Sequence, residues 1–128
     1  MSKYAYPAIF KQEGKFYNVV FPDLPCATSG KSIPDAMLMA EDALALLLYS
    51  YELKRKEIPK PSLIGDIVVD DGFVNYVICD TIDYAKKFNN KAVKKTLTIP
   101  EWLNEAAVSA GINFSQVLQD ALKSKLKI

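Results

Sequence analysis

Histidine does not occur in this 128-residue sequence. Its absence removes the commonest general base and the commonest metal ligand, so most hydrolase and metalloenzyme chemistries lack their usual residue. Cysteine is scarce: Cys26 and Cys79, far apart and without CxxC spacing, read as reduced thiols rather than a disulfide or a metal site. Long apolar runs are missing too. The longest, Ala43 to Tyr49, is too short to cross a membrane, and the opening "MSKYAYPAIF" holds no stretch fit for a secretory leader. These absences point to a cytoplasmic, non-enzymatic protein that needs no cofactor.

The charge that is present is unevenly spread. From Lys86 onward eight lysines stand against three carboxylates, whereas the preceding residues carry eight basic and twelve acidic side chains. Such a division suggests an anionic polymer as the partner of the tail and a cationic protein as the partner of the body.

Along the body, Tyr4 to Phe10 and Phe16 to Phe21 are aromatic and β-branched, with "KQEGK" between them as a hairpin signal. Pro22 and Pro25 stop the second strand, and a short third is expected around Ala27 and Thr28. "SIPD" opens a helix, with Ser32 as cap, Pro34 in the first turn and Asp35 completing a capping box. Met37, Ala40, Leu44, Leu47 and Tyr51 then recur at helical spacing, a stripe that reads as core packing against the sheet. Lys54, Arg55 and Lys56 suit the negative end of that helix, and Pro59 and Pro61 follow it. "GDIVV" and "FVNYVICD" read as two further strands around an Asp71-Gly72 turn. "TIDYAKKFNNKA" is polar and reads as a linker with at most a short helical piece. The body, residues 1–83, is thus α+β, an antiparallel sheet under one long helix, and residues 84–92 are a linker.

Residues 93–128 have a different rhythm. In "KKTLTIP", Leu97 and Ile99 fall on one strand face and Lys94, Thr96 and Thr98 on the other. Pro100 begins a helix with Leu103, Ala106, Ala107 and Ala110 on one stripe, and Gly111 supplies its left-handed stop. Asn113 and Gln116 start a second helix with Phe114, Val117, Leu118, Ala121, Leu122 and Leu126 inside. So short a strand-helix-helix unit buries too little surface alone. A second copy would complete it, with Leu97, Ile99, Leu103, Val117, Leu118 and Leu122 as the shared core and the two strands as a ribbon that fits the DNA major groove.

This segment resembles a ribbon-helix-helix DNA-binding domain. The stretch from "YPAIFKQEGKFYNVVFPDLPCATSGKSIPDAM" to "IPKPS" resembles the HicB antitoxin family, whose pattern is an aromatic hairpin, a "FPDLPG"-like turn, a T-x-G step, a helix with an acidic cap and a late I-P-x-P-S. Cys26 stands where that family often has Gly. The resemblance implies a partial RNase H-like N-terminal fold that binds and occludes a small, mRNA-cleaving HicA toxin, and a C-terminal half that represses its own operon as a homodimer on operator double-stranded DNA.

Lys94, Thr96 and Thr98 are the base-reading candidates, Lys91 a phosphate contact, and the backbone N–H groups of Phe114 and Ser115 a phosphate clamp. Any one of these exposed residues alone would pass for a solvated surface; their alternation ahead of Pro100 is what singles them out. A helix-turn-helix reading would instead aim Gln116, Gln119, Asp120 and Lys123 at the groove, with Asp120 facing phosphates unfavourably. Toxin-facing candidates are Asp23, Leu24 and Pro25 in the "PDLPC" turn and Asp35, Glu41 and Asp42 on the long helix. Each also reads as an ordinary turn or solvated face. Asp23, Asp66, Asp70, Asp71 and Asp80 offer oxygen ligands for magnesium, but their turn settings favour solvated carboxylates. The competing function is a transcriptional regulator whose N-terminal domain senses a ligand and has no toxin partner.

Overall fold

The computed structural model describes residues 2–128. The chain forms two compact units, residues 1–91 and 92–128.

In the first unit, strands β1 (Lys3–Glu13), β2 (Phe16–Phe21), β3 (Cys26–Gly30) and β4 (Phe73–Asp80) form one antiparallel sheet in the order β3-β2-β1-β4. The β1–β2 hairpin turns at Gly14, whose φ of 61° suits glycine. Pro7 sits in a central strand without breaking it. Its missing N–H would point towards β2, whose paired run with β1 ends at Ile9 and Val20. Alternation then sends Tyr6, Ala8 and Phe10, Val19 and Phe21, and Val77 and Cys79 to one buried face.

Helix α1 (Ile33–Leu53) covers that face with Ala36, Ala40, Leu44 and Leu48. Ser32 caps it, its hydroxyl accepting from the Asp35 N–H at 3.2 Å. The Asp35 carboxylate reaches back one residue further than a regular capping box, to the N–H of Lys31 at 2.8 Å. The basic run does not lie in the last turn. Lys54 is the C-cap, Arg55 takes a left-handed φ of 52°, and the N–H groups of Arg55 and Lys56 donate to Glu52 and Tyr51. This is a Schellman closure with arginine where glycine is usual.

Two expectations fail in this unit. "GDIVV" is not a strand: Ile64–Asp66 make a single 3₁₀ turn and residues 67–72 carry no strand. β4 pairs instead with β1, and Gly72, at φ 94°, packs against the Phe10 carbonyl to bring the chain there. Tertiary pairing outweighs local β-propensity. Nor do residues 84–92 begin as linker. Helix α2 (Thr81–Phe88) is capped by Asp80, which accepts from the N–H groups of Ile82 and Asp83. Its Tyr84 ring packs against Tyr49 of α1 (5.5 Å) and Phe88 (4.7 Å). Thr81, Tyr84, Ala85 and Phe88 carry a helical spacing that a composition-led reading passes over.

In the second unit, α3 (Glu101–Ser109) follows Pro100 and ends at Gly111 (φ 70°), with the Ile112 N–H donating to Ala107 in a Schellman closure. Helix α4 (Phe114–Leu126) starts from Asn113, whose side chain accepts from the Gln116 N–H at 3.1 Å. Residues 91–100 carry neither helix nor strand.

Two outcomes follow from the first core. A Cβ on Gly30 would lie 2.3 Å from the Ala36 nitrogen, so Gly30→Ala is expected to lift α1 off the sheet and cost about 3 kcal/mol in urea unfolding. Burial, aided by the carboxylates of Glu41, Asp80 and Glu52, pushes the Cys79 thiol up to about 12. The folded state thus favours the protonated thiol. Its contribution is intact below the ordinary thiol range and is lost as pH rises from about 8.5 towards that value. Thiol labelling should accordingly reach half-buried Cys26 in the native protein and Cys79 only on unfolding.

Candidate functional site

The turn proposed to face a partner is tied down from within. The Asp23 carboxylate accepts from both the N–H (2.9 Å) and the hydroxyl (2.6 Å) of Ser62. The "PDLPC" turn is thereby fastened to the "IPKPS" segment, and Tyr6 secures the same segment through a hydroxyl bond to the Pro59 carbonyl. Leu24 is 6% exposed and belongs to the core, so its expected role as a contact gives way to packing; Pro25 remains exposed. Among the α1 candidates, Asp35 is half-buried and spent on capping, while Glu41 and Asp42 are exposed.

Further carboxylates have local duties. Asp80 caps α2. A junction of Ser2, Tyr4, Glu52 and Thr81 joins β1, α1 and α2: Tyr4 donates to Glu52 at 2.8 Å and the Thr81 hydroxyl lies 3.2 Å from the same oxygen. Burial pushes the Tyr4 and Tyr6 hydroxyls up from their ordinary value, so both stay protonated donors. No cluster of three or more His, Cys, Asp or Glu side chains fit to hold a metal occurs among the described residues. A surface groove of about 620 Å³ opens beside Phe10, Tyr17, Ile33 and Phe73; the polar side chains there are Gln12, Tyr17 and Asp71, with no convergent charged set.

In the second unit the apolar side chains have little to cover them. Leu97 is 62% exposed and Leu122 52%, and Ile99, Leu103 and Val117 are exposed too; Leu118 is half-buried. Leu97, Ile99, Phe114, Val117 and Leu118 line one groove of about 500 Å³. Isolated exposed leucines need no explanation, but a contiguous apolar groove does. Lys91, Lys94, Thr96 and Thr98 are all exposed, and among the described residues the backbone of residues 92–99 makes no hydrogen bond. The N–H groups of Phe114 and Ser115 likewise have no protein acceptor among the described residues. Sequence reasoning missed Ser62 as the partner of Asp23; no local signal links positions so far apart.

Comparison with known proteins fits this construction. The four-stranded sheet with its helices, followed by a small helical unit, is the fold of solved bacterial antitoxins. A Burkholderia pseudomallei antitoxin HicB aligns over 99% of this chain and 98% of its own, with a TM-score of 0.52 and 19% identity. A chain of a toxin-antitoxin complex from Streptococcus pneumoniae aligns over 96% of this chain and 99% of its own, with a TM-score of 0.61 and 30% identity. Antitoxin HicB 2 of Photorhabdus laumondii subsp. laumondii is 39% identical over 66 residues, 51% of this chain and 48% of that relative, so the aligned part spans about half the relative's length. The sequence profile of the HicB-like antitoxins of bacterial toxin-antitoxin systems matches residues 6–120. The chain belongs to the HicB-like antitoxin family.

The Asp23–Ser62 clamp has its own test. Asp23→Ala leaves the Ser62 donors without their charged acceptor, an expected loss of about 1.5–3 kcal/mol. Limited proteolysis should then cut faster within residues 54–72.

Proposed function

We propose that this antitoxin binds and occludes a HicA-like, mRNA-cleaving toxin through its first unit, of partial RNase H-like fold, and represses its own operon through its second. In this reading residues 93–128 form a ribbon-helix-helix homodimer. Residues 94–99 of two chains pair as an antiparallel ribbon, and Leu97, Ile99, Leu103, Val117, Leu118 and Leu122 form one core shared by both copies.

The observation that carries the reading is the uncovered groove of the second unit beside a segment whose backbone makes no hydrogen bond. One partner strand would satisfy the segment's N–H and C=O groups, and the same partner would bury the groove. The polar strand face then presents Lys94, Thr96 and Thr98 to base edges. Lys91 and the Phe114 and Ser115 N–H groups meet phosphates. A helix-turn-helix needs neither the pairing nor the second copy. Lys86 and Lys87 belong to the last turn of α2, so part of the tail's positive charge lies in the first unit and complements a helix end there.

Sedimentation of residues 91–128 across a dilution series should show a dimer or an unfolded chain; a compact monomer would refute the ribbon. Within the full protein, replacing Thr96 and Thr98 together by Ala should preserve the dimer while weakening operator binding by about 1–3 kcal/mol per lost base contact and blurring sequence preference. Lys91→Ala should weaken operator and scrambled DNA alike and flatten the salt dependence by about one unit of slope. Equal binding of both DNAs by the double Thr variant and its parent would rule out the strand as the reading element.

A further inference from the structure

Helix α1 has more apolar surface than its own unit uses. Ala36, Ala40, Leu44 and Leu48 face the sheet, and Ala45 and Tyr49 are buried on the side where α2 packs. A third side is open. Met39, Leu46 and Leu53 recur every seven residues along it and are exposed, Leu46 to 56%. The smaller Ala43 and Ser50 lie between them, both half-buried. Large residues at a seven-residue repeat with small ones between make the knobs and holes by which one helix receives another. A soluble helix that is apolar on every side is ordinarily covered on every side.

Charge selects the occupant. Across its 21 residues α1 carries four carboxylates, Asp35, Glu41, Asp42 and Glu52, and no lysine or arginine. Glu41 and Asp42 are exposed beside the seam. A second copy of α1 would bring no cation to meet them, whereas a helix edged by lysine or arginine would. We infer that the Met39–Leu46–Leu53 seam of α1, rimmed by Asp42, docks an apolar-faced helix of a basic protein. Resting on the proposed function, that protein is the toxin.

The test is a calorimetric titration of the full chain with the small basic protein encoded beside it. Leu46→Glu should weaken binding by roughly 30-fold or more, the scale of a central anchor. Asp42→Lys should weaken it several-fold and flatten its salt dependence. Ile78→Glu, at a position 64% exposed on the helix-free face of the sheet, should leave it within about two-fold. Binding by Leu46→Glu equal to the parent's overturns the seam but leaves the proposed function standing. No binding by the parent overturns both. A parent oligomer that Leu46→Glu dissociates, with toxin binding kept, assigns the seam to a second copy and overturns the inference. Should circular dichroism show Leu46→Glu unfolded, Asp42→Lys decides, and parent-like affinity in that variant overturns the seam.

Discussion

Helix α1 lies so close to the sheet at Gly30 that a methyl group there would meet the backbone nitrogen of Ala36 at 2.3 Å. That approach sets the depth at which the helix is seated, and the seating needs small residues on both sides, Gly30 below and Ala36 and Ala40 above. Larger side chains fill the rest of the layer: Tyr6, Phe10 and Phe21 from the sheet, Leu44 and Leu48 from the helix. Interiors packed at crystal-like density tolerate little adjustment. The same seating fixes Tyr4 and Thr81 against Glu52, and it leaves one side of α1 facing outward.

The two units complete their cores by different means. Residues 1–91 carry enough chain to bury theirs internally, with Phe10 stacked on Phe73 at 5.0 Å across the β1–β4 pair as one fastening. Residues 92–128 keep nearly every apolar side chain partly in water. A short unit of this kind gains by sharing a core with another chain. Under the proposed dimer, an antitoxin of this family would hold its DNA-reading surface only as a pair, while each first unit remains available to a toxin.

Polar groups near the family-like motifs serve the fold before they serve any partner. "FPDLPC" and "IPKPS" stand far apart in the sequence but meet through Asp23 and Ser62, a charge-assisted pair with both Ser62 donors engaged. Asp35 and Asp80 cap helices. What remains outward-facing and acidic on α1 is Glu41 and Asp42, and they flank the apolar seam.

Local chemistry determined much of this protein from the sequence alone. The hairpin at Gly14, the cap at Ser32, the stop at Gly111 and the start at Asn113 each depend on a residue and its nearest neighbours. So does the buried stripe of α1, because period and face are linked by helix geometry. Tertiary structure decided what neighbours cannot. "GDIVV" has the composition of a strand but no edge to pair with, since β1 takes β4 instead. "TIDYAKKF" reads as polar until Tyr49 of α1 gives Tyr84 and Phe88 a surface to cover. Leu24 turns inward and Asp23 finds Ser62 because the fold brings those segments together. The third side of α1 escaped the sequence for the same reason. Met39, Leu46 and Leu53 become a seam only once the sheet and α2 have claimed the other sides, and which sides are claimed is a property of packing, not of spacing.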